Sequence, residues 1–368
     1  MVLCAIIILG SAAINNGIRA RADVEVTDVL NYAVDKKEDF FGDEEKIYIT
    51  EVEEGNEVED NVDNSESSDA DVSEEMIYED NEEIENEDME VELDNQLYNI
   101  DIDIMDRINN YLGEDKYSTS FIYYNLETEE RLAFNEDLYM NAASIYKVGL
   151  SLVAYNMVEC GEITLEDLVY YSPWQYQGGT GILQYDLSFG ALPLGILIEY
   201  AIKYSDNIAA TMVYSYIGGW NNFKWRLFGI LGIDYGDYDN VTSARVELEV
   251  LKYIYENRNN SNYKTLIDYL KNTDFHDRLD KYLPQNIVAH KIGSDEGYTH
   301  DVGIVFTEEP YIIIMMTDNV YNGSDKIADV SKAMYLYNKE NEKWYELILN
   351  IIKISFRSYQ LSEGYLLL

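Results

Sequence analysis

Apolar residues recur at helical spacing in some stretches of the chain and form short extended runs in others. Helical spacing predicts helices over residues 97–112, 142–158, 192–204, 208–216, 243–256 and 327–337. Extended runs predict a hairpin from residues 119–125 and 131–134, and three more strands over residues 286–291, 301–306 and 311–316. The predicted order is therefore helix, two strands, a block of helices, three strands and a final helix.

The connections between the predicted strands are short polar turns. Short turns join antiparallel strands, because parallel strands need a long crossover between them. We therefore predict an α+β fold in which an antiparallel five-stranded sheet is flanked by helices and the central helices form an all-helical lobe. A cleft between the sheet and this lobe is where we expect a functional site.

The periodic pattern is confined to residues 96–340, which we predict to be one catalytic domain. Residues 23–95 hold much of the charge excess of a chain with 70 acidic and 26 basic residues. Such a segment buries too little apolar surface to offset the entropy of ordering it, so it predicts an acidic disordered linker. We interpret it as a spacer without a specific ligand, with weak cation binding as the alternative. The charge also argues against nucleic acid as a partner.

The N-terminal and C-terminal segments of the chain lie outside the predicted catalytic domain. Residues 2–14 are apolar but shorter than the ~20 residues that cross a bilayer. With the small-x-small sequence Ala20-Arg-Ala22 after them, residues 1–22 predict a signal peptide or an uncleaved N-terminal anchor, although no basic residues precede the apolar run. We therefore expect an exported, extracellular or cell-surface protein with a possible membrane anchor. Residues 341–368 form a C-terminal extension to which the sequence assigns no role.

The cysteines predict no disulfide in the mature chain. Cys4 lies in the leader, which leaves Cys160 without a partner. Cys160 follows an apolar helical pattern, so we expect a buried structural thiol rather than a nucleophile.

A first candidate motif, Ser144-x-x-Lys147, opens the predicted helix 142–158. Its serine and lysine are three residues apart and share one face of the helix. A serine hydroxyl needs a nearby base to become a nucleophile, and a desolvated lysine can have its pKa lowered enough to serve. Taken alone the pattern also fits a helix-start serine beside a surface lysine. A second copy, Ser261-x-x-Lys264, lies in a polar stretch where we expect a loop.

The second motif, Ser205-Asp-Asn207, falls at the break between two apolar helices. A hydroxyl in such a loop can relay a proton to a leaving nitrogen, and an amide can bind a substrate carbonyl. The alternative is a helix N-cap, because serine, aspartate and asparagine are all preferred there.

The third motif, Lys291-Ile-Gly-Ser294, ends a predicted strand. Lys291 can meet a substrate carboxylate, and Gly293 lets a substrate backbone lie close to the strand edge. The alternative is a strand that simply turns through its glycine.

Together the three motifs, in this order on a helix start, an interhelical loop and a strand, are the set described for serine β-lactamases and penicillin-binding proteins. Residues 97–339 resemble the class A β-lactamase-like family. The resemblance implies catalytic roles for Ser144, Lys147, Ser205 and Lys291, and substrate-binding roles for Asn207, Gly293 and Ser294. In the implied mechanism Lys147 takes the proton of Ser144, and the backbone N–H groups of Ser144 and Ser294 form an oxyanion hole.

Two departures from the family pattern bear on turnover. Ile292 stands where the family usually has threonine or serine, which removes one hydroxyl contact to a substrate carboxylate. Class A enzymes carry an omega-loop glutamate that activates water, but residues 220–240 contain no glutamate. The acidic residues of this stretch, Asp234, Asp237 and Asp239, are typical turn residues.

The resemblance therefore implies a serine hydrolase acylated at Ser144 by β-lactams or D-alanyl peptides, and the missing omega-loop glutamate implies weak deacylation. The implied partner is a small-molecule β-lactam or a peptidoglycan-like peptide. A non-hydrolytic penicillin- or wall-peptide-binding protein is one alternative, and a structural domain with an idle serine is another. The histidines, His276, His290 and His300, show no ligand spacing, so we expect no metal and no cofactor. His290 and His300 flank a predicted turn and are expected near each other.

Overall fold

The computed structural model describes residues 96–234 and 239–364, and the side chains up to residue 343. The predicted leader (1–22), the acidic linker (23–95) and Asp237 lie outside the described residues. All described residues belong to one compact unit, Val72–Leu368.

The described residues form eight α-helices and nine strands. The helices are α1 (Ile104–Leu112), α2 (Tyr146–Glu159), α3 (Leu194–Lys203), α4 (Asn207–Tyr216), α5 (Trp220–Leu231), α6 (Ala244–Glu256), α7 (Ser261–Lys271) and α8 (Gly323–Gly364). The strands are β1 (Thr119–Asn125), β2 (Arg131–Phe134), β3 (Met140–Asn141), β4 (Leu168–Tyr170), β5 (Ala191–Pro193), β6 (Val241–Thr242), β7 (Val288–Asp295), β8 (Tyr298–Val305) and β9 (Tyr311–Asp318).

The predicted α+β fold with a five-stranded antiparallel sheet is confirmed. The strands lie in the order β2-β1-β9-β8-β7, and every neighbouring pair is antiparallel. The hairpin β1–β2 has the predicted bounds, whereas β7 and β8 extend further toward their shared turn than the apolar runs indicated. Strands β3 and β6 form one small separate sheet, and β4 and β5 form another.

Alternation along the strands gives the sheet two buried faces. On one face Phe121 and Tyr123 join the core built with α1 and α8. On the other, Ile122 joins a larger core made with helices α2, α3, α4, α5, α6 and α7. Successive side chains of a strand point to opposite faces, so a strand covered on both sides is apolar throughout. This explains the unbroken apolar run of β9, which is buried at seven of its eight positions.

Two helices were not predicted from the sequence. Helix α5 occupies much of the stretch expected to be a loop, and helix α7 begins at Ser261, where a loop was also expected. Asn260 caps α7 by accepting a hydrogen bond from the N–H of Asn262 at 2.8 Å. The prediction of a buried Cys160 was wrong as well, since this thiol is exposed at the C-terminal end of α2.

The last helix, α8, is much longer than the predicted 327–337 and continues into the predicted C-terminal extension that begins at residue 341. None of the helices in the described part of the chain combines the length and the apolar character needed to span a bilayer.

Candidate active site

Ser144 lies on a short 3-10 turn, Ala143–Ile145, that leads directly into α2. Ala143 adopts a positive φ of 45°, a left-handed conformation that costs energy for a residue with a Cβ. Its N–H donates to Asn141 Oδ1 at 2.8 Å, and its carbonyl accepts from Asn240 Nδ2 at 3.2 Å. These two hydrogen bonds hold the turn in place. Ser144 itself is partly exposed.

Lys147 is fully buried one helical turn below the serine. Its Nζ lies 3.0 Å from Ser144 Oγ, 2.7 Å from Asn207 Oδ1 and 2.6 Å from the carbonyl oxygen of Ser205. Burial, followed by the nearby Lys291 ammonium, holds the pKa of Lys147 well below its usual range, and Asp206 only partly opposes them. A neutral amine at this distance can accept the proton of Ser144.

Ser205 lies between the two lysines of the site. Its Oγ is 3.2 Å from Lys147 Nζ and 2.9 Å from Lys291 Nζ, and its backbone has a left-handed φ of 51°. The next residue, Asp206, caps α4 by accepting from the N–H of Ala209 at 2.8 Å. The motif is therefore both a helix cap, through Asp206, and part of the site, through Ser205.

Lys291 projects from β7 and is also fully buried. Its Nζ lies 5.6 Å from the ring centroid of Phe275 and donates to the carbonyl of Ile292 at 3.0 Å. Burial lowers its pKa to about 7, opposed by Asp301 and assisted by Arg278. Lys147 and Lys291 both contact the Ser205 hydroxyl, and both have a lowered pKa. Each is therefore neutral more readily than a surface lysine.

Gly293 lets β7 lie against the turn that carries the serine. A Cβ at this position would be 3.1 Å from the carbonyl oxygen of Ala142 and 3.2 Å from Cβ of Ala143. A Cβ here would therefore require the strand and the turn to move apart by a few tenths of an ångström. Ser294 follows at the exposed end of the strand, where its Oγ accepts from Arg278 Nη2 at 2.6 Å.

The predicted site residues thus converge. Ser144, Lys147, Ser205, Asn207 and Lys291 are joined by hydrogen bonds, and Gly293 packs against the same turn. Ser294 Oγ accepts from Arg278 and the residue is exposed, so Ser294 lies at the rim.

A glycine-rich segment outside the three predicted motifs covers the second motif. Thr180 Oγ1 donates to the carbonyl of Ser205 at 2.8 Å, and Asn207 Nδ2 donates to the carbonyl of Gly178 at 2.8 Å. Gly181 has a φ of 105°, and a Cβ there would lie 2.3 Å from the Asp206 carboxylate. The run Gly178-Gly-Thr-Gly181 is the signal that predicts such a tight loop.

The stretch expected to resemble an omega loop contributes no described carboxylate to the serine. Its first part is helix α5, and Asp234 and Asp239 are exposed. Glu247, just beyond it on α6, is buried and accepts from Thr242 Oγ1 at 2.7 Å. Burial raises the pKa of Glu247 to about 7, although the bond from Thr242 and the charge of Lys224 oppose the shift.

The expectation that His290 and His300 lie near each other was wrong. His290 pairs with Gly303 and His300 with Gly293 across the β7–β8 ladder, so the two rings are on opposite faces of the sheet. His300 supports the serine turn instead, because its Nε2 lies 2.7 Å from the carbonyl of Asn141. The N–H of Thr317 donates to its Nδ1, so His300 Nε2 is the donor to Asn141.

Taken together, the sheet, the helical lobe and a serine hydrogen-bonded to a buried lysine at their junction define a serine hydrolase of the β-lactamase-like class. The sequence model of the β-lactamase enzyme family matches residues 103–338, which is more than half of the chain. The chain therefore belongs to the β-lactamase enzyme family. A search of curated proteins finds no match.

Solved structures share the fold at low sequence identity. A mutant of PBP-A, solved as an acyl-enzyme complex with penicillin G, is 23% identical with a TM-score of 0.58, and the match covers 64% of this chain and 96% of that one. A β-lactamase from Chitinophaga pinensis DSM 2588 is 20% identical with a TM-score of 0.58, over 64% of this chain and 98% of that one. A β-lactamase from Sphaerobacter thermophilus DSM 20745 is 20% identical with a TM-score of 0.56, over 63% and 97% respectively.

Proposed function

We propose that this protein is a serine hydrolase that becomes acylated at Ser144 by β-lactams or D-alanyl peptides and releases the acyl group slowly. The observation that carries the proposal is the 3.0 Å contact between Ser144 Oγ and the Nζ of the buried Lys147. A desolvated amine within hydrogen-bond reach of a serine hydroxyl is the arrangement that general-base activation requires.

In the proposed acylation, Ser144 Oγ attacks the amide carbonyl and its proton passes to Lys147. Collapse of the tetrahedral intermediate breaks the carbon–nitrogen bond, and the departing nitrogen takes a proton from Ser205. The Ser205 hydroxyl is within reach of both lysine amines, so it can be reprotonated from either of them.

The substrate-binding roles follow the geometry of the rim. We assign one N–H of the Asn207 amide to an acyl-amide carbonyl, since its other N–H is held by Gly178. We assign Lys291 and Ser294 to a substrate carboxylate, with Gly293 giving the substrate backbone access to the edge of β7. The backbone N–H groups of Ser144 and Ser294 are the proposed oxyanion donors, a contribution of about 3–4 kcal/mol each in well-studied hydrolases.

Slow release is proposed because no glutamate occurs in residues 220–240 and the described aspartates there are exposed. Without a positioned base, water attacks the acyl-enzyme inefficiently. A non-hydrolytic penicillin- or wall-peptide-binding protein is the extreme form of this behaviour. It is favoured by the same observation and by the PBP-A neighbour that was captured as an acyl-enzyme with penicillin G.

We further propose that the protein is exported, with residues 1–22 as leader or anchor and residues 23–95 as an acidic tether. Export would bring the proposed acylation site to the compartment that holds cell-wall peptides. Fractionation of cells that express the full chain, followed by immunodetection, tests the proposal, and recovery of the protein in the cytosol alone would contradict it.

Labelling with a fluorescent penicillin tests the acylation step. The native chain should be labelled and Ser144→Ala should not, while Ser261→Ala, which removes the serine of the other Ser-x-x-Lys sequence, should be labelled normally. Turnover of a chromogenic cephalosporin then separates a slow enzyme from a trap that gives one stoichiometric burst. Intact-mass spectra that show neither an adduct nor a product after β-lactam exposure would refute the proposal.

A further inference from the structure

Two histidines and an aspartate meet behind strand β7, on the face of the sheet opposite to the Lys291 side chain. His276 Nδ1 lies 2.5 Å from Asp280 Oδ2, and His290 Nε2 lies 3.3 Å from the same oxygen. One ligand atom from each residue falls within 4.8 Å of the others. Asp280 and His290 are each 1% exposed, whereas the side chain of His276 is 34% exposed.

Two atoms of this cluster are buried without a hydrogen-bond partner among the described residues. They are Asp280 Oδ1 and His290 Nε2. The 3.3 Å approach of His290 Nε2 to Asp280 Oδ2 is an ion-pair distance without hydrogen-bond geometry. Buried polar atoms are nearly always paired, so two unpartnered atoms within one buried cluster indicate a missing occupant.

A second carboxylate fixes the orientation of the His290 ring. Asp301 accepts from His290 Nδ1 at 2.8 Å, and the same carboxylate accepts from the N–H of Leu279 at 3.0 Å. A proton on Nδ1 leaves the Nε2 lone pair directed into the cluster. Metal-binding histidines commonly donate their second ring N–H to a carboxylate in this way.

We propose that His276, Asp280 and His290 bind one zinc-type divalent transition metal ion. Two imidazole nitrogens and one carboxylate oxygen form a borderline donor set that suits such ions better than Mg²⁺ or Ca²⁺, which prefer oxygen ligands. The partly exposed His276 ring marks the entry side, where solvent completes the coordination.

A metal here would act on the active site through the segment that carries two of its ligands. Phe275 and Arg278 lie on this segment beside His276 and Asp280. Phe275 packs beneath the Lys291 ammonium, and Arg278 Nη1 donates to the carbonyl of Gly293 at 2.9 Å. Joining the segment to β7 through the metal would fix both contacts, so the proposed ion is structural and positions the strand end.

The competing account is a proton in place of the metal. Burial alone lowers the pKa of His290, but Asp301 and Asp280 outweigh it and raise the pKa to about 10. A doubly protonated ring would then bridge the two carboxylates as an ion-pair network. The two accounts predict different responses to added zinc and cobalt.

The test uses the full chain after removal of metal with EDTA. Zinc titration in competition with a chromophoric chelator should give one tight site per chain and an increase in thermal midpoint. Cobalt should give the intense visible bands of a tetrahedral, nitrogen-ligated ion, whereas cobalt held by the acidic linker is octahedral, oxygen-ligated and weakly absorbing.

The matched variants are His276→Gln and Asp277→Asn. His276→Gln should lose the cobalt bands and weaken zinc binding at least tenfold. Asp277→Asn, which changes a half-exposed neighbour outside the cluster, should behave as the native chain does. Equal zinc affinity and equal cobalt spectra in the native chain and His276→Gln would overturn the proposal and leave the proton-bridged network. Since neither readout involves acylation, the result is independent of the proposed function.

Discussion

Replacement of Lys147 is the most direct probe of the proposed chemistry. Lys147→Met retains an unbranched apolar side chain of similar length but removes the amine that lies 3.0 Å from Ser144 Oγ. Lys147→Arg keeps a positive donor but cannot act as a base, because its pKa stays above about 12. If Lys147 takes the proton of Ser144, both variants must lose acylation.

The expected size of the effect follows from the contacts of the amine. General-base catalysis contributes about 10²–10⁴-fold, which corresponds to roughly 3–5 kcal/mol in the activation free energy of acylation. Loss of the amine also leaves Asn207 Oδ1 without the donor now 2.7 Å away, at a cost of about 1–3 kcal/mol in stability. The carbonyl of Ser205 keeps a second donor, Thr180 Oγ1.

Stopped-flow measurement of acylation by a fluorescent penicillin gives the rate, and urea denaturation gives the free energy of unfolding. We expect both variants to acylate at least 100-fold more slowly, while Lys147→Met remains folded under assay conditions. A Lys147→Arg protein that acylates at the native rate would show that the site needs a charge rather than a base. An unchanged rate in Lys147→Met would remove Lys147 from the mechanism.

Three further predictions follow from the same geometry. Burial and Lys291 lower the pKa of Lys147, so the acylation rate of the native protein should rise with pH well below 10.5. A stopped-flow pH series should show that this rise is absent in Lys147→Met. The folded-state pKa of Glu247 is raised to about 7 from an ordinary value of 4.5, so its ionisation destabilises the fold progressively as pH rises from 4.5 through 7. Urea denaturation should therefore show Glu247→Gln gaining roughly 2 kcal/mol relative to native between pH 5 and pH 8, and an equal difference at both pH values would contradict the raised pKa. Gly293→Ala should lower stability by about 1–3 kcal/mol and slow penicillin labelling, because its Cβ would meet Ala142; native labelling kinetics would refute the close approach.

Much of the fold was predictable because local patterns and tertiary packing agree. The hairpin β1–β2 has a polar turn between two apolar runs, and β9 is apolar on both faces because helices cover both. The two missed helices are cases where the local signal misled. The polar residues before α7 suggested a loop, but Asn260 among them is its cap. The stretch that forms α5 was expected to be a loop because of the family resemblance. Its amphipathic pattern, which buries Phe223 and Leu227, in fact indicates a helix.

Part of the candidate site could also be predicted from the sequence, and part could not. Ser144 and Lys147 could be paired from sequence because three residues along a helix fix their spacing. The convergence of Ser205 and Lys291 on them was expected only through the family resemblance. The glycine run around Thr180 predicts a tight loop but not its contact with Ser205. Arg278 and the cluster around Asp280 had no signal in the sequence, because residues distant along the chain meet there only after folding.

At Ala143, whose backbone is left-handed, the stability of the protein and the reactivity of the neighbouring serine place opposite demands on the residue. A glycine at this position would relieve the conformational energy of the turn at no steric cost. It would also free the serine to sample orientations away from the lysine amine. Selection for a more stable protein and selection for faster acylation should therefore favour different residues at position 143.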